Sequence, residues 1–317
     1  MDAAERRPTE RVRADGWLVV DKPLGMTSTA VVARVRRALG GAKVGHGGTL
    51  DPLATGVLPV AVGEATKTVG WAMAGAKRYR MRVAWGEERA TDDLEGQVTA
   101  TSPVRPDAAA VAAALPDFEG EIMQAPPAYS AIKVAGRRAY AMARAHARDA
   151  AEPAPEMAPR RVRIDRIALV AADADGAELE VDCGKGVYMR SLARDLARRL
   201  GTRGHVAALR RTIVGRFDLT NAISLAEGDD LCNKAAILAH LLPVATALDD
   251  IPALALTEAE AERLRHGAPV SPSRSEERDR LDVLGEGAVV SAHAGGRLVA
   301  MAEVRGGLLR PMRVMNL

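Results

Sequence analysis

The chain is poor in aromatic residues and in cysteine. Phe, Trp and Tyr together make up 3% of its 317 residues, and there are two cysteines, Cys183 and Cys232. These two are far apart and form neither a CxxC pair nor another metal-ligand spacing, which excludes a disulfide framework and a zinc finger. Because aromatic side chains are so scarce, a tyrosine among polar strand residues is less readily explained by core packing alone.

Long apolar runs are also missing. No stretch reaches the roughly 18 uninterrupted apolar residues of a membrane-spanning helix. The first residues, MDAAERRPTERVRADG, are charged and contain no apolar segment of the kind that signal peptides carry. We therefore expect a cytoplasmic protein without a membrane partner. Hydrophobic residues at 48% and charged residues at 27% are typical of a globular protein.

Length and pattern predict two folded domains after a short disordered lead. The lead covers residues 1–15, a larger domain covers 16–249, and a smaller β-rich domain covers 250–317. In the larger domain, Trp17–Val20 is typical of a short buried strand. Residues 77–100 alternate polar and apolar side chains as half-buried antiparallel strands do. The pattern therefore predicts a fold that interleaves helices with strands.

Basic side chains are concentrated in one part of the sequence. Between Lys185 and Arg216 there are nine basic residues and a single acid, Asp195. The nine are Lys185, Arg190, Arg194, Arg198, Arg199, Arg203, Arg210, Arg211 and Arg216. A local excess of this kind is typical of a surface that binds a polyanion such as a nucleic acid.

A glycine-rich segment, GHGGTLDPLATGVLPVAVGEATK at residues 45–67, contains one histidine and one aspartate. Glycines at this density predict unusual backbone turns. Asp51 precedes Pro52, which disfavours helix at the aspartate, so we expect its carboxylate to project from a rigid loop. An isolated Asp-Pro more often serves as an ordinary turn, and the residues around Asp51 favour the functional interpretation instead.

The sequence resembles the bacterial tRNA pseudouridine-55 synthases of the TruB type. Motifs of that family occur in the family's order across nearly the whole chain, with Gly47 where many members have Thr. They are GWLVVDKPLGMTS (16–28), GHGGTLDPLATGVLP (45–59), KRYR (77–80), the pair GKGVYMRSLARDL (184–196) and HVAALRR (205–211), and GGLLRPMRV (306–314).

This resemblance implies that Asp51 is the catalytic carboxylate, acting on uridine 55 in the T loop of tRNA. It also implies that Arg190 pairs with Asp51 and that Tyr79 stacks on the extruded base. A carboxylate can attack C1′ or remove a proton from C2′ to give a glycal; the sequence leaves both open, and the resemblance favours the glycal. Because the isomerisation needs no redox change, no cofactor and no metal are expected.

Other positions acquire expected roles from the same resemblance. His46 supports the opened T loop, Lys22 shapes the pocket floor beside the tyrosine, and Tyr188 and Leu209 line the uracil. Asp93 resembles a family aspartate that helps to position RNA, although it also fits an ordinary loop charge.

The segment at about 124–160, rich in Pro, Ala and charge, occupies the place of the family's thumb loop, which closes over the T arm. We expect it to be mobile and to contain a short helix. Its basic residues Lys133, Arg137 and Arg138 are expected to meet phosphates. The segment 184–200 is predicted to form a helix. Its arginines other than Arg190, Arg194 among them, are expected to face solvent or phosphates.

The fold implied is α/β (α+β): a catalytic domain on a mixed, largely antiparallel sheet, followed by a small PUA-like RNA-binding β-barrel. The expected partner is the T arm of tRNA, bound by a monomer with no obligate protein partner. Three alternatives remain open. They are a non-catalytic tRNA-binding or tRNA-folding protein, a phosphotransferase using the glycine-rich loop, and a guide-dependent pseudouridine synthase. The second lacks a GxxxxGK[ST] sequence.

Overall fold

The computed structural model describes residues 14–149, 155–224 and 234–317. Most of the predicted lead at 1–15 therefore lies outside the described residues. No helix within these three ranges is long and apolar enough to cross a membrane.

The described residues form 18 strands and eight α-helices. The strands are β1 (Gly16–Lys22), β2 (Val44–His46), β3 (Ala54–Val62), β4 (Lys77–Trp85), β5 (Glu87–Arg89), β6 (Val98–Thr101), β7 (Gly120–Gln124), β8 (Lys133–Val134), β9 (Arg137–Arg138), β10 (Arg160–Asp173), β11 (Gly176–Cys183), β12 (Gly204–Val214), β13 (Phe217–Asp218), β14 (Ile223–Ser224), β15 (Ala253–Ala255), β16 (Val289–Ala294), β17 (Arg297–Arg305) and β18 (Leu308–Val314). The helices are α1 (Ser28–Ala38), α2 (Val69–Ala74), α3 (Ala108–Ala114), α4 (Ala139–Arg148), α5 (Met189–Arg199), α6 (Lys234–Ala239), α7 (Glu258–Arg265) and α8 (Ser275–Leu284).

One large sheet of ten strands organises most of the chain. Its order is β14-β1-β3-β12-β4-β11-β10-β7, with β2 beside β3 and β13 beside β12. The pairs β1–β14 and β3–β12 are parallel. The remaining pairs are antiparallel. This confirms the prediction of a mixed, largely antiparallel sheet.

Strand β1 is buried on both of its faces, which explains the unbroken apolar run at its start. Leu18 and Val20 share a core with apolar residues of helices α1, α3 and α5. Trp17 and Val19 belong to a second buried cluster on the other face of the strand. A strand covered on both sides is expected to be continuously apolar rather than alternating. The β1 position brings Lys22, at its end, beneath the glycine-rich loop.

The C-terminal part contains a separate four-stranded sheet in the order β15-β16-β17-β18. Its β-rich character agrees with the prediction for residues 250–317. This part also contains helices α7 and α8, which that prediction did not include. Leu298 and Met301 of β17, and Met315 after β18, belong to the same buried cluster as Trp17. The Lys67 ammonium also donates to the Val314 carbonyl at 2.7 Å. The two sheets are therefore joined by a shared apolar core.

Candidate active site

The loop between β2 and β3 carries Asp51 and is held from several sides. Gly48 has φ of +120°, a backbone conformation that favours glycine. The Ser28 hydroxyl, at the start of α1, donates to the Leu50 carbonyl at 2.9 Å and accepts from the Leu50 N–H at 2.8 Å. The Ala54 N–H donates to the Asp51 carbonyl at 3.0 Å. These contacts fix the loop so that the Asp51 side chain, 37% exposed, points into a cavity.

Arg190, in the first turn of helix α5, lies against this carboxylate. Its Nη2 is 3.0 Å from Asp51 Oδ2, and its side chain is only 7% exposed. The guanidinium also donates to the Thr91 carbonyl at 3.0 Å and to the Tyr129 carbonyl at 3.1 Å. A planar, permanently charged group with five donors suits this set of partners. The predicted Asp51–Arg190 pair is therefore present in the structure.

A second carboxylate faces the same guanidinium. Asp93 Oδ2 is 3.6 Å from Arg190 Nη1, and the Asp93 side chain is 3% exposed. Its Oδ1 accepts hydrogen bonds from the Thr91 hydroxyl and from the Glu95 N–H. The interpretation of Asp93 as an ordinary solvent-facing loop charge is thus wrong. Arg190 lies between one buried and one partly exposed carboxylate.

These groups border a cavity of about 700 Å³. Six of the side chains given expected roles from the sequence contribute to its wall: Asp51, Tyr79, Asp93, Tyr188, Arg190 and Leu209. Tyr79, on β4, is 8% exposed, and burial raises the pKa of its hydroxyl. The nearby Arg211 guanidinium acts in the opposite direction on that pKa. Tyr188 has a raised pKa for the same reason, burial. Both phenols are therefore neutral near pH 7 and can exchange hydrogen bonds with a ligand.

Comparison with known proteins places the chain in a family. The model described as TruB family pseudouridylate synthase (N terminal domain) matches residues 36–189, and that of the tRNA pseudouridylate synthase B C-terminal domain matches residues 190–249. A tRNA pseudouridine synthase B of Rhodospirillum rubrum is 54% identical over 303 residues, covering 95% of this chain and 96% of the relative. One of Caulobacter vibrioides is 51% identical over 304 residues, covering 95% of this chain and 96% of that relative. The chain belongs to the TruB family.

It is thus a pseudouridylate synthase, an isomerase. Among solved structures, a chain of a Cbf5-Nop10-Gar1 complex aligns with a TM-score of 0.68 at 24% identity, covering 91% of this synthase and 78% of that chain. At this identity the likeness concerns the fold alone. It agrees with the mixed sheet described above.

Two residues with expected roles at the site, Lys22 and His46, do not line the cavity. Lys22 is fully buried, and its ammonium donates to the carbonyls of Met26 at 2.7 Å and Pro52 at 3.4 Å. Burial lowers the pKa of Lys22 to about 8, although the negative charge of Asp51 raises it. His46, on β2, is half-buried, and burial lowers its pKa as well. Its Nδ1 has no hydrogen-bond partner within the described part of the chain.

The sequence indicated Arg211 only as part of the basic cluster, and not as a residue of this site. Its side chain is 1% exposed, and it donates to the Val57 carbonyl at 2.8 Å and to the Gly48 carbonyl at 3.1 Å. It therefore supports the Asp51 loop from below and reaches Tyr79. The available signal was the position of Arg211 in the motif HVAALRR. A buried arginine needs several hydrogen-bond acceptors. The parallel pairing of β12 with β3 supplies them.

The 124–160 segment contributes to the cavity differently from the prediction. Lys133, Arg137 and Arg138 lie in the exposed β8–β9 hairpin, and their contact with phosphate stays a prediction. The cavity wall contains instead Tyr129, Tyr140 and Arg144, which the sequence did not single out. The Arg144 guanidinium lies 5.5 Å from the centre of the Tyr140 ring.

Arg194 also departs from expectation, because it faces neither solvent nor an open surface. Its side chain is 12% exposed, and its Nη1 is 2.9 Å from Asp92 Oδ2.

No group of three or more His, Cys, Asp or Glu side chains among the residues at 14–149, 155–224 and 234–317 is arranged to hold a metal ion.

Proposed function

We propose that this synthase isomerises uridine 55 in the T loop of tRNA, with Asp51 as the reacting carboxylate. The observation that carries the proposal is the Asp51–Arg190 contact at 3.0 Å, at the wall of a cavity lined by Tyr79, Tyr188 and Leu209. The relatives named tRNA pseudouridine synthase B support the choice of tRNA, since they match nearly the whole chain.

The reaction is balanced without any external reagent. The bond between N1 of uracil and C1′ of ribose breaks, the uracil turns, and a bond forms between C5 and C1′ while the C5 proton is lost and N1 gains one. Asp51 either attacks C1′ or removes a proton from C2′, and both routes use its anionic form. Arg190 holds that anion in one orientation through a charge-assisted bond.

The proposed reaction requires the nucleotide to leave its stack. Asp51 lies on a rigid loop at the cavity wall, so a uridine stacked within a folded T loop cannot bring C1′ to the carboxylate. Base extrusion costs a few kcal/mol, and flat side chains in the pocket replace the lost stacking. In this proposal Tyr79 and Tyr188, two of the tyrosines in the cavity wall, take that role.

A non-catalytic tRNA-binding or tRNA-folding protein is the alternative. It needs basic surface but no buried arginine beside a carboxylate, so the Asp51–Arg190 pair favours the enzyme. A guide-dependent synthase is disfavoured, because the relatives at about half identity are named for tRNA.

The test is incubation of the purified protein with unmodified tRNA, followed by mapping of pseudouridine. We expect modification at position 55 by the parent and none by Asp51→Asn, whose tRNA affinity should stay within about tenfold of the parent, roughly 1.4 kcal/mol. Asp107→Asn is the matched control, since Asp107 caps helix α3 at the surface and asparagine caps equally well. Turnover retained by Asp51→Asn, or modification at another uridine only, would contradict the proposal.

A further inference from the structure

Helix α5 presents the buried Arg190 and the largely buried Arg194, one turn apart, to the same two backbone segments. The first segment is the turn Thr91–Asp93, and the second runs from Ala125 to Tyr129. Arg190 donates to the Thr91 carbonyl and to the Tyr129 carbonyl, at 3.0 and 3.1 Å. Arg194 reaches Asp92 in the first segment at 2.9 Å and the Ala125 carbonyl in the second at 3.1 Å. Both arginines therefore tie the helix to the same pair of segments.

The turn at Asp92 is a constrained piece of backbone. Asp92 has φ of +59°, in the left-handed region that residues other than glycine, asparagine and aspartate seldom adopt. Its N–H donates to the Arg89 carbonyl at 2.9 Å, and its carbonyl accepts from the Val206 N–H at 3.0 Å. The turn thereby directs the Thr91 carbonyl and the Asp93 carboxylate toward Arg190.

The Arg194–Asp92 ion pair that holds this turn is largely buried. The side chains of Arg194 and Asp92 are 12% and 9% exposed. Burial raises the pKa of Asp92 to about 6, against the opposing effect of Arg194, so the environment disfavours the charge that the pair requires. Buried ion pairs contribute little net stability compared with apolar packing. A role in placing neighbouring groups therefore accounts for the pair better than stabilisation does.

The second segment is held just as firmly. The Ser191 hydroxyl, between the two arginines in the sequence, donates to the Ala125 carbonyl at 2.8 Å. The Gln124 side chain accepts from the Tyr188 N–H at 2.8 Å and donates to the Tyr188 carbonyl at 3.2 Å. The beginning of the 124–160 segment is thus fixed to α5, and Tyr129 presents its carbonyl to Arg190 from there.

We infer that Arg194 and Asp92 are positioning residues, which act through Arg190 by fixing the carbonyls of Thr91 and Tyr129 that orient its guanidinium beside Asp51. This inference rests on the proposed function, because Asp51 and Arg190 are the reacting pair only there. The competing explanation is that Arg194 and Asp92 only stabilise the fold and have no influence on the chemical step.

A double-mutant cycle on the full chain separates the two explanations. The variants are Arg194→Met, Asp92→Asn, Arg190→Lys and the combinations of each of the first two with Arg190→Lys. Asparagine at position 92 keeps the side-chain shape, tolerates the left-handed backbone and removes the charge. Arg199→Met is the matched control, since Arg199 forms an exposed ion pair with Asp117 at the other end of the same helix. Single-turnover rates are measured at saturating enzyme with unmodified tRNA, below the melting temperature of every variant.

We expect Arg194→Met and Asp92→Asn each to lower the single-turnover rate about tenfold or more while tRNA affinity changes less than about threefold. In the Arg190→Lys background the same changes should lower the rate by less than about threefold, because groups that act through one residue are not additive. Arg199→Met should keep the parental rate.

A purely structural role of Arg194 and Asp92 would give different rates and melting temperatures. Lower melting temperatures with parental rates, or the same fold-loss in both Arg190 backgrounds, would overturn the inference. If Arg194→Met does not fold, Asp92→Asn carries the same cycle. A parent that forms no pseudouridine in tRNA would instead refute the proposed function, and the inference with it. An active parent and an inactive Asp51→Asn, together with parental rates in both positioning variants, would refute the inference alone.

Discussion

Replacement of Arg190 by lysine gives the sharpest test of the site, and the contacts of Arg190 indicate the size of the effect. The guanidinium holds Asp51 at 3.0 Å and two carbonyls at 3.0 and 3.1 Å, and it lies 3.6 Å from Asp93. A lysine has a single nitrogen and cannot span all four groups, so we expect it to lose at least two of these bonds. Hydrogen bonds to charged groups contribute about 1.5–3 kcal/mol each.

We expect this loss in the chemical step, because Arg190 holds Asp51 in its reacting orientation. Two such bonds amount to a barrier raised by about 3–6 kcal/mol, a rate lowered by roughly 10²–10⁴-fold, with tRNA affinity little changed. Arg190→Ala is a poorer choice. It leaves Asp93, 3% exposed, without its partner, and removal of one member of a buried pair destabilises a protein by about 3–5 kcal/mol.

The assay follows directly from the reaction. Formation of the C5–C1′ bond expels the proton from C5, so tRNA with tritium at C5 of uridine releases tritium to water as pseudouridine forms. The measurement is single turnover at saturating enzyme, with Arg199→Lys as the control for the same exchange at an exposed position of α5. A rate within about threefold of the parent, combined with weaker binding, would show that Arg190 contacts RNA and does not orient Asp51.

Three further outcomes follow from other contacts. Lys22 has its pKa lowered from 10.5 to about 8, so its contribution to stability is greatest above pH 10.5 and is lost as pH falls through 8. The free energy of unfolding of the parent, relative to Lys22→Met, should therefore rise between pH 8 and 10.5 by on the order of 3 kcal/mol in denaturant titrations, and a constant difference would contradict this. Gly56→Ala should unfold the protein or lower its melting temperature strongly, because a Cβ at φ of +98° would lie 2.1 Å from the Arg211 carbonyl oxygen. Gly41→Ala, also at positive φ but in open space, should lower the melting temperature by much less, because it adds backbone strain without a clash. A chain ending at Asp249 should melt at a lower temperature than the parent, since it loses Leu298, Met301 and Met315 from the cluster around Trp17, and an equal melting temperature would count against that role.

Local patterns predicted much of the fold and the wall of the site. The apolar run at Trp17–Val20, the alternation at 77–85 and the glycines around Asp51 each describe a short stretch of chain, and each is found where predicted. The motifs also predicted that Asp51, Tyr79 and Arg190 meet, although they lie far apart in the sequence. Their catalytic roles stay proposals.

Features that depend on long-range pairing escaped prediction. Arg211 contacts Gly48 across 163 residues, a contact that exists only because β12 lies parallel to β3. Arg194 is off the apolar stripe of its helix, yet the turn at Asp92 covers it and excludes water. Helix α8, SEERDRLDVL, buries Glu277 and Leu281 and has too few apolar residues for a recognisable stripe.

The double burial of strand β1 bears on how the chain is made. β1 is among the first described residues to leave the ribosome, and its neighbour β3 follows within about 40 residues, but its other neighbour, β14, begins at Ile223. The cluster around Trp17 also includes residues much later in the chain, among them Met301 and Met315. Pairings this distant in sequence form late and leave apolar strands open to aggregation meanwhile. We therefore expect part of the apolar cover of Trp17 to be missing until these later residues have been made.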